Sequence, residues 1–263
     1  MSSASRHHYV MGTVVSFDLD AAGLDLLAFD SAVEAACDEL DRLDSIFSTW
    51  KPESPLSRLR REEIELGDAP GEIAEALELC RDAKALSRGL FDPWAMPGGV
   101  DPTGLVKGWA IERCVAVLGS AGVRAGVVNG GGDLACFGEG DERWRVGIRH
   151  PWRSDGLACI VELRAGQALA TSGRYERGDH LIDPFFSGEP SGGTQHGGQD
   201  ALVASASVTG PSLAMADALA TAMCVGSNGA LRLLSSLDGY EGYRILADGT
   251  EESTPGFPPA LAA

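Results

Sequence analysis

The stretch Ala125-Gly126-Val127-Val128-Asn129-Gly130-Gly131-Gly132-Asp133-Leu134-Ala135-Cys136-Phe137 decides the fold class. Ala125 to Val128 has the apolar, β-branched character of a short buried strand, and Leu134 to Phe137 reads as the strand returning from it. Upstream, apolar residues at helical spacing predict helices from about Leu24 to Phe47 and from about Pro70 to Arg88, with Asp68 or a neighbour near the second cap and Gly89 past its end. A third helix starts at Asp101-Pro102-Thr103 and stops at Gly122. Tyr9 to Asp20 reads as one strand interrupted at Met11-Gly12-Thr13, where the glycine marks a bulge or a close backbone approach. Downstream, strand patterns recur at Trp144 to Arg149, Leu157 to Leu163, Ala168 to Thr171 and Ala201 to Val208. A helix from Ser212 to Val225, another around Ala230 to Ser236 and a strand at Tyr243 to Ala247 complete the chain. Helices and strands mix without a strict βαβ alternation, so the expected class is α+β. The prolines of Ser48 to Arg58 predict a loop, as do those of Phe91 to Gly99, and the Gly/Ser-rich run Ser187 to Gln199 reads as a mobile insertion.

With 263 residues, 44% hydrophobic and 22% charged, the chain has material for a sizeable core, in one large domain or two lobes sharing a cleft. Its 38 Asp and Glu against 21 Lys and Arg give a net charge of -17, which opposes binding to nucleic acid or an anionic bilayer. A small phosphate ligand is still allowed, because exposed charges are screened beyond about 8 Å at physiological salt. Such a ligand needs a local cation. The six cysteines are widely spaced, with no C-x-x-C pair, and read as buried free thiols of a reducing compartment. Met1 to Asp20 has no uninterrupted apolar run and no small-residue cleavage site, and Asp217 with Gly210-Pro211 interrupts the most apolar stretch, so neither a signal peptide nor a membrane span is expected. Cytoplasm is the expected location.

Four segments carry candidate chemistry. Asp217 and Thr221 lie four apart on the Ser212 helix, so a carboxylate and a hydroxyl project from one face. They are a partial ligand set for a hard cation such as Mg2+, or Thr221 bonds back to the carbonyl of Asp217. The otherwise apolar composition of that helix implies burial, where a carboxylate wants a partner. Asp101 to Gly108 opens a helix whose free N-H groups suit a phosphate with Lys107 adding charge, or it is an ordinary cap with Lys107 in solvent. Asn129 to Asp133 makes either an anion-binding glycine nest or a tight turn. Ala170-Thr171-Ser172-Gly173 followed by His180-Leu181-Ile182-Asp183-Pro184 offers hydroxyls, an imidazole and a carboxylate, a set that serves a general base or a purely structural role. No G-x-S-x-G accompanies it to support a serine hydrolase.

Taken in order, these segments resemble the ApbE family of flavin transferases. The matching strings are Met11-Gly12-Thr13; Phe47 to Trp50 with Ser57-Arg58; Phe91-Asp92-Pro93; Asp101 to Ala110; Asn129 to Asp133; Thr171 to Gly173 with His180 to Pro184; and Ser207 to Thr209 with Ala216-Asp217-Ala218 and Thr221. The resemblance implies a two-lobed, T-fold-related α+β architecture with FAD in the central cleft. It implies that Met11, Trp50, Leu90, Phe91, Asp92, Asp101, Lys107 and Ile182 line the flavin nucleotide, and that Gly104, Asp217 and Thr221 hold Mg2+. It further implies covalent flavinylation: FMN passes from FAD to a Thr or Ser hydroxyl of an acceptor protein and AMP leaves. The expected group to accept the hydroxyl proton is His180 or Asp183. Two departures stand out. Ala220 occupies a position that is acidic in some members, and Lys107 one that is acidic in others. Rival readings are an FAD pyrophosphatase giving FMN and AMP, or an FAD-binding carrier without turnover.

Overall fold

A computed structural model describes residues 3–153, 155–173, 202–226 and 228–257. Strands β1 (Ser3–Val10) and β2 (Thr13–Asp20) pair antiparallel, with Val10 opposite Thr13. The expected single strand is therefore two. Met11 at φ 53° and Gly12 at φ 71° form a two-residue turn with both residues left-handed, the geometry that matches strand twist in a tight hairpin. Along β2, Val15, Phe17 and Leu19 are buried at a period of two, which fixes its inner face.

Helix α1 (Leu26–Phe47) is capped by Asp25, whose carboxylate accepts from the Ala28 N-H at 2.8 Å. It buries Phe29, Ala36, Leu40, Leu43 and Phe47. The segment after it is not all loop: α2 (Pro55–Arg60) follows a Ser54 cap, because proline at the first helical position gives up an N-H that has no helical partner anyway. Helix α3 (Gly71–Leu86) starts at Pro70 without a side-chain cap; Asp68 ends a separate short turn, Leu66–Asp68. Its exit through Gly89 at φ 85° is as expected. Within Phe91 to Gly99 a short turn, Pro93–Ala95, is held by the Asp92 side chain.

Next come α4 (Thr103–Ser120), β3 (Gly126–Gly130), β4 (Asp133–Phe137), β5 (Arg143–Arg149), β6 (Leu157–Arg164) and β7 (Ala168–Gly173). The chain continues through β8 (Val203–Gly210), α5 (Leu213–Val225), α6 (Asn228–Leu234), β9 (Glu241–Leu246) and β10 (Glu251–Ser253). The expected insertion, Ser187 to Gln199, lies outside the described residues. Eight strands form one sheet in the order β1-β2-β3-β4-β7-β8-β9-β10, with antiparallel neighbours throughout, while β5 and β6 pair as a separate hairpin. The α+β class holds.

The sheet separates two cores. On one face Phe17, Val128 and Ala170 pack with Leu40, Leu105 and Leu213 of the helices. On the other, Leu134, Leu169 and Ile245 pack with Ile148, Val161 and Leu163 of the β5–β6 hairpin. All six cysteines are free. Among the described residues no helix is long and apolar enough to cross a membrane.

Candidate functional site

Helix α5 is apolar on almost every side, and Asp217 within it is buried. What meets that carboxylate is a strip of α4 without side chains. A Cβ on Gly108 would fall 2.6 Å from the carbonyl oxygen of Leu213, so only glycine lets the helices approach this closely. A Cβ on Gly104 would lie 3.7 Å from Thr221 Oγ1 and 3.1 Å from the Phe91 ring. Gly104 thus faces Thr221 while Gly108 faces the start of α5, so the two helices run antiparallel. The N-H of Gly108 donates to Asp217 Oδ2 at 3.3 Å. In an α-helix that N-H also faces the carbonyl four residues back, which belongs to Gly104. Two oxygens therefore converge on one turn, and Thr221 Oγ1 adds a third beside it.

These residues fit a small hard cation. A carboxylate, a carbonyl and a hydroxyl are the oxygen donors such ions take, with remaining positions left to water or phosphate oxygen. Among the described residues no group of three His, Cys, Asp or Glu side chains could hold a metal, and those described at this junction offer one carboxylate and neutral oxygens. Ser172 Oγ lies 3.1 Å from Thr221 Oγ1, and the Cys224 thiol donates to the Ser172 carbonyl at 3.1 Å, tying β7 to the same face of α5. Glu112 of α4 caps α5 from outside, accepting from the N-H groups of Leu213 and Ala214. Burial pushes the Glu112 carboxyl above its ordinary range, against the opposing pull of its bonds to Ser212, Leu213 and Ala214.

Lys107, one residue before Gly108, is not in solvent. Its ammonium pairs with Asp133, which is fully buried. The second oxygen of Asp133 accepts from the Thr171 N-H at 3.0 Å, and Thr171 Oγ1 lies 2.8 Å from Ser207 Oγ. Asn129 to Asp133 is the tight turn between β3 and β4: Gly131 and Gly132 take φ 70° and 102°, and the Gly132 N-H donates to Asn129 Oδ1 at 2.9 Å. Its use is to place Asp133 under Lys107.

Of the expected nucleotide-lining residues, Met11, Trp50 and Lys107 border one cavity of about 560 Å3, with Thr103 and Val106 of α4 beside them. Trp50 is 93% exposed at its mouth. Phe91 is buried against Gly104, and Leu90 packs at the edge of the main core. Asp92 pairs with Lys84 at 2.6 Å and caps Trp94. Asp101 accepts from the N-H and hydroxyl of Thr103, the first residue of α4, while its other oxygen pairs with Arg60 at 3.0 Å. Neither Asp92 nor Asp101 borders the cavity. Ile182, His180 and Asp183 lie outside the described residues. Sequence reasoning missed Arg60, Glu112 and the Lys107–Asp133 pairing. Only the last had a signal, in a lone lysine and a lone aspartate each flanked by glycine.

The model of the ApbE family matches residues 11–99 and 95–243. A FAD:protein FMN transferase of Rhodobacter capsulatus is 36% identical over 159 residues, covering 57% of this chain and 28% of that protein. The chain therefore spans under a third of the curated relative it matches. The ApbE protein of Thermotoga maritima superposes with a TM-score of 0.80 at 20% identity, covering 97% of both chains. The flavin transferase ApbE of Vibrio cholerae gives 0.77 at 20% identity, covering 98% of this chain and all of the other. The chain belongs to the ApbE family.

Proposed function

We propose that this protein is a FAD:protein FMN transferase that moves FMN from FAD to a Thr or Ser hydroxyl of an acceptor protein and releases AMP, with Mg2+ as its cofactor. The observation that carries this reading is the convergence of Asp217, Thr221 and the Gly104 turn on a glycine-cleared helix junction. The matched relative, named as a FAD:protein FMN transferase, supports the reaction class.

Gly104, Asp217 and Thr221 would hold the ion, which, when bound, neutralises negative charge on the diphosphate as the P–O bond to AMP breaks. Met11, Trp50 and Lys107 border the space proposed for the nucleotide, while Leu90, Phe91, Asp92 and Asp101 are carried over to it from the family resemblance. Lys107 supplies the positive charge that a net charge of -17 makes scarce, and Asp133 fixes where that charge sits. His180 or Asp183 is proposed to accept the acceptor's hydroxyl proton as its oxygen bonds to the FMN phosphorus, and Ile182 to contribute to binding the flavin nucleotide.

Incubation of the purified protein with FAD, Mg2+ and a threonine-bearing acceptor, followed by mass measurement of the acceptor, tests the reading. An added FMN phosphoryl mass with equimolar AMP is the expected result. AMP and free FMN without modified acceptor would establish a pyrophosphatase instead. Full transfer by His180→Ala would assign the proton to Asp183, and full transfer by both single variants would remove the pair from the reaction.

A further inference from the structure

Arg60, the last residue of α2, is mostly buried, with 16% of its side chain exposed. Its three guanidinium nitrogens donate to three residues of one loop: Nη2 to the Pro97 carbonyl at 2.8 Å, Nε to the Gly98 carbonyl at 3.2 Å, and Nη1 to Asp101 Oδ2 at 3.0 Å. Only one of these acceptors is charged. The contact is therefore more than an ion pair: a planar fork meets acceptors at fixed spacing, which a lysine ammonium cannot do. The backbones meet at the same place. A Cβ on Gly99, at φ 103°, would lie 3.1 Å from the Arg60 carbonyl oxygen and 3.3 Å from its Cα, so the loop lies directly on the end of α2. That helix is a firm base, since Leu56 within it is fully buried.

The loop needs such a hold. Gly98 and Gly99 are consecutive left-handed glycines, whose backbones have the most freedom to lose. The loop runs straight into the first turn of α4. Pro102 precedes that helix without giving it a side-chain bond, and Thr103 and Gly104 are only half-buried, while Leu105 and Val106 beyond them are fixed in the core. What holds Thr103 is Asp101, whose Oδ1 accepts from the Thr103 N-H at 3.1 Å and from its hydroxyl at 2.6 Å. The other oxygen of Asp101 is the one bonded to Arg60. Gly104, the next residue, lies beside Thr221 Oγ1. Direct contacts thus run from Arg60 through Asp101 and Thr103 to the turn whose carbonyl is a candidate ligand.

We infer that Arg60 is a positioning residue for the candidate cation site: it fixes the loop from Pro97 to Asp101 so that the first turn of α4 holds the Gly104 carbonyl where Asp217 and Thr221 require it. A glycine carbonyl has no side chain of its own to orient it, so its place is set by its neighbours. The inference rests on the reading of Gly104, Asp217 and Thr221 as cation ligands and adds what keeps the backbone ligand in register.

Mn2+, which takes the same oxygen donors, is titrated into the full-length protein with and without FAD, and the free ion is measured by its EPR signal. Asp217→Ala defines which binding belongs to the site. Arg60→Met is expected to weaken that binding roughly tenfold, the effect of losing a group that orients a ligand. The sign is diagnostic, because removal of a positive charge acting only through space would tighten a cation. Arg60→Lys is expected to fall between, since it keeps the charge beside Asp101 but cannot span three acceptors. Arg61→Met, which removes the adjacent arginine paired with Glu63, is expected not to weaken binding. Titrations well below each protein's melting temperature separate positioning from stability: an Arg60→Met protein that melts earlier yet binds Mn2+ as the wild type does would overturn the inference. If Arg60→Met does not fold, wild-type affinity in Arg60→Lys would overturn it equally. Wild-type protein that binds no Mn2+ in either condition, or whose binding survives Asp217→Ala, would overturn the cation site itself and the role of Arg60 with it.

Discussion

The N-H of Gly108 in α4 points at Asp217 Oδ2 of α5, 3.3 Å away, across a contact with no room for a side chain. Adding the methyl of Gly108→Ala sets a carbon 2.6 Å from the Leu213 carbonyl oxygen, a backbone atom that cannot turn aside. The helices must separate, at a cost of about 1–3 kcal/mol for an overpacked core. A lowered melting temperature is expected, together with weaker Mg2+ dependence of FMN transfer, because the oxygen set moves apart. Asp217→Ala is expected to abolish transfer, and retention of Mg2+-dependent activity by that variant would remove the carboxylate from the metal site.

Glu112 holds the first N-H groups of α5 from the side of α4. Glu112→Ala is expected to cost about 1 kcal/mol, the loss of a helix cap, read by chemical denaturation. Glu112→Gln keeps an acceptor oxygen and loses the desolvated charge, so it is expected to be neutral or stabilising at neutral pH. The sign with pH follows from burial raising the carboxyl in the folded state. Folded protein then binds more protons than unfolded protein between the ordinary carboxylate range and the raised value. Stability contributed by this group is full below the ordinary range and declines as pH rises through that window. Glu112→Gln should flatten the decline, and an unchanged slope would assign it to other groups.

The element types were legible from the chain because period and punctuation decide them locally. Val15, Phe17 and Leu19 alternate, Phe29 to Phe47 repeat at helical spacing, and Gly89 and Gly122 end helices where a left-handed residue is wanted. The errors were also local. Met11-Gly12 suggests a bulge or a close backbone approach rather than a turn, since a left-handed methionine is rare enough that Met-Gly is a poor turn signal. Pro55 was read as a breaker, although the same residue starts a helix when Ser54 precedes it. At the site, Asp217 and Thr221 stood out through their spacing, and Gly104 through family likeness. Arg60 under Asp101 is 41 residues from its partner in sequence, and Glu112 is 101 from the N-H of Leu213. Pairings at that range follow from the tertiary fold and leave no periodic trace.

The cysteines are expected to be poor nucleophiles in the native protein. Burial pushes the thiols of Cys80 and Cys136 up to about 12 and that of Cys159 to about 11. Cys37 is also raised to about 11, first by burial and then by Asp41, Asp38 and Glu34, but it is only half-buried. The thiolate is the reactive form, so alkylation by iodoacetamide at mildly alkaline pH should be slow and should reach Cys37 first. Peptide mapping after timed labelling reads the order. Fast modification of Cys80 or Cys136 without denaturant would contradict their burial.

Lys107, which borders the cavity beside Trp50, pairs with Asp133 at the start of β4. Asp133 is fully buried, so its carboxylate relies on the Lys107 ammonium and the Thr171 N-H to offset its lost hydration. Lys107→Met removes the cation and leaves that carboxylate buried, an expected loss of about 3–5 kcal/mol. Asp133→Asn still accepts from Thr171 but removes one negative charge beside the ammonium, so a smaller loss is expected. The double variant Lys107→Met with Asp133→Asn removes both charges at once and should be more stable than Lys107→Met alone, because the neutral amide no longer demands a cation. Urea denaturation of the four proteins forms a double-mutant cycle that measures the coupling directly. FAD binding by the same proteins separates the two duties of the pair. The double variant is expected to recover stability without recovering affinity, because the charge facing the nucleotide is gone, and recovery of both would show that Lys107 serves the fold alone.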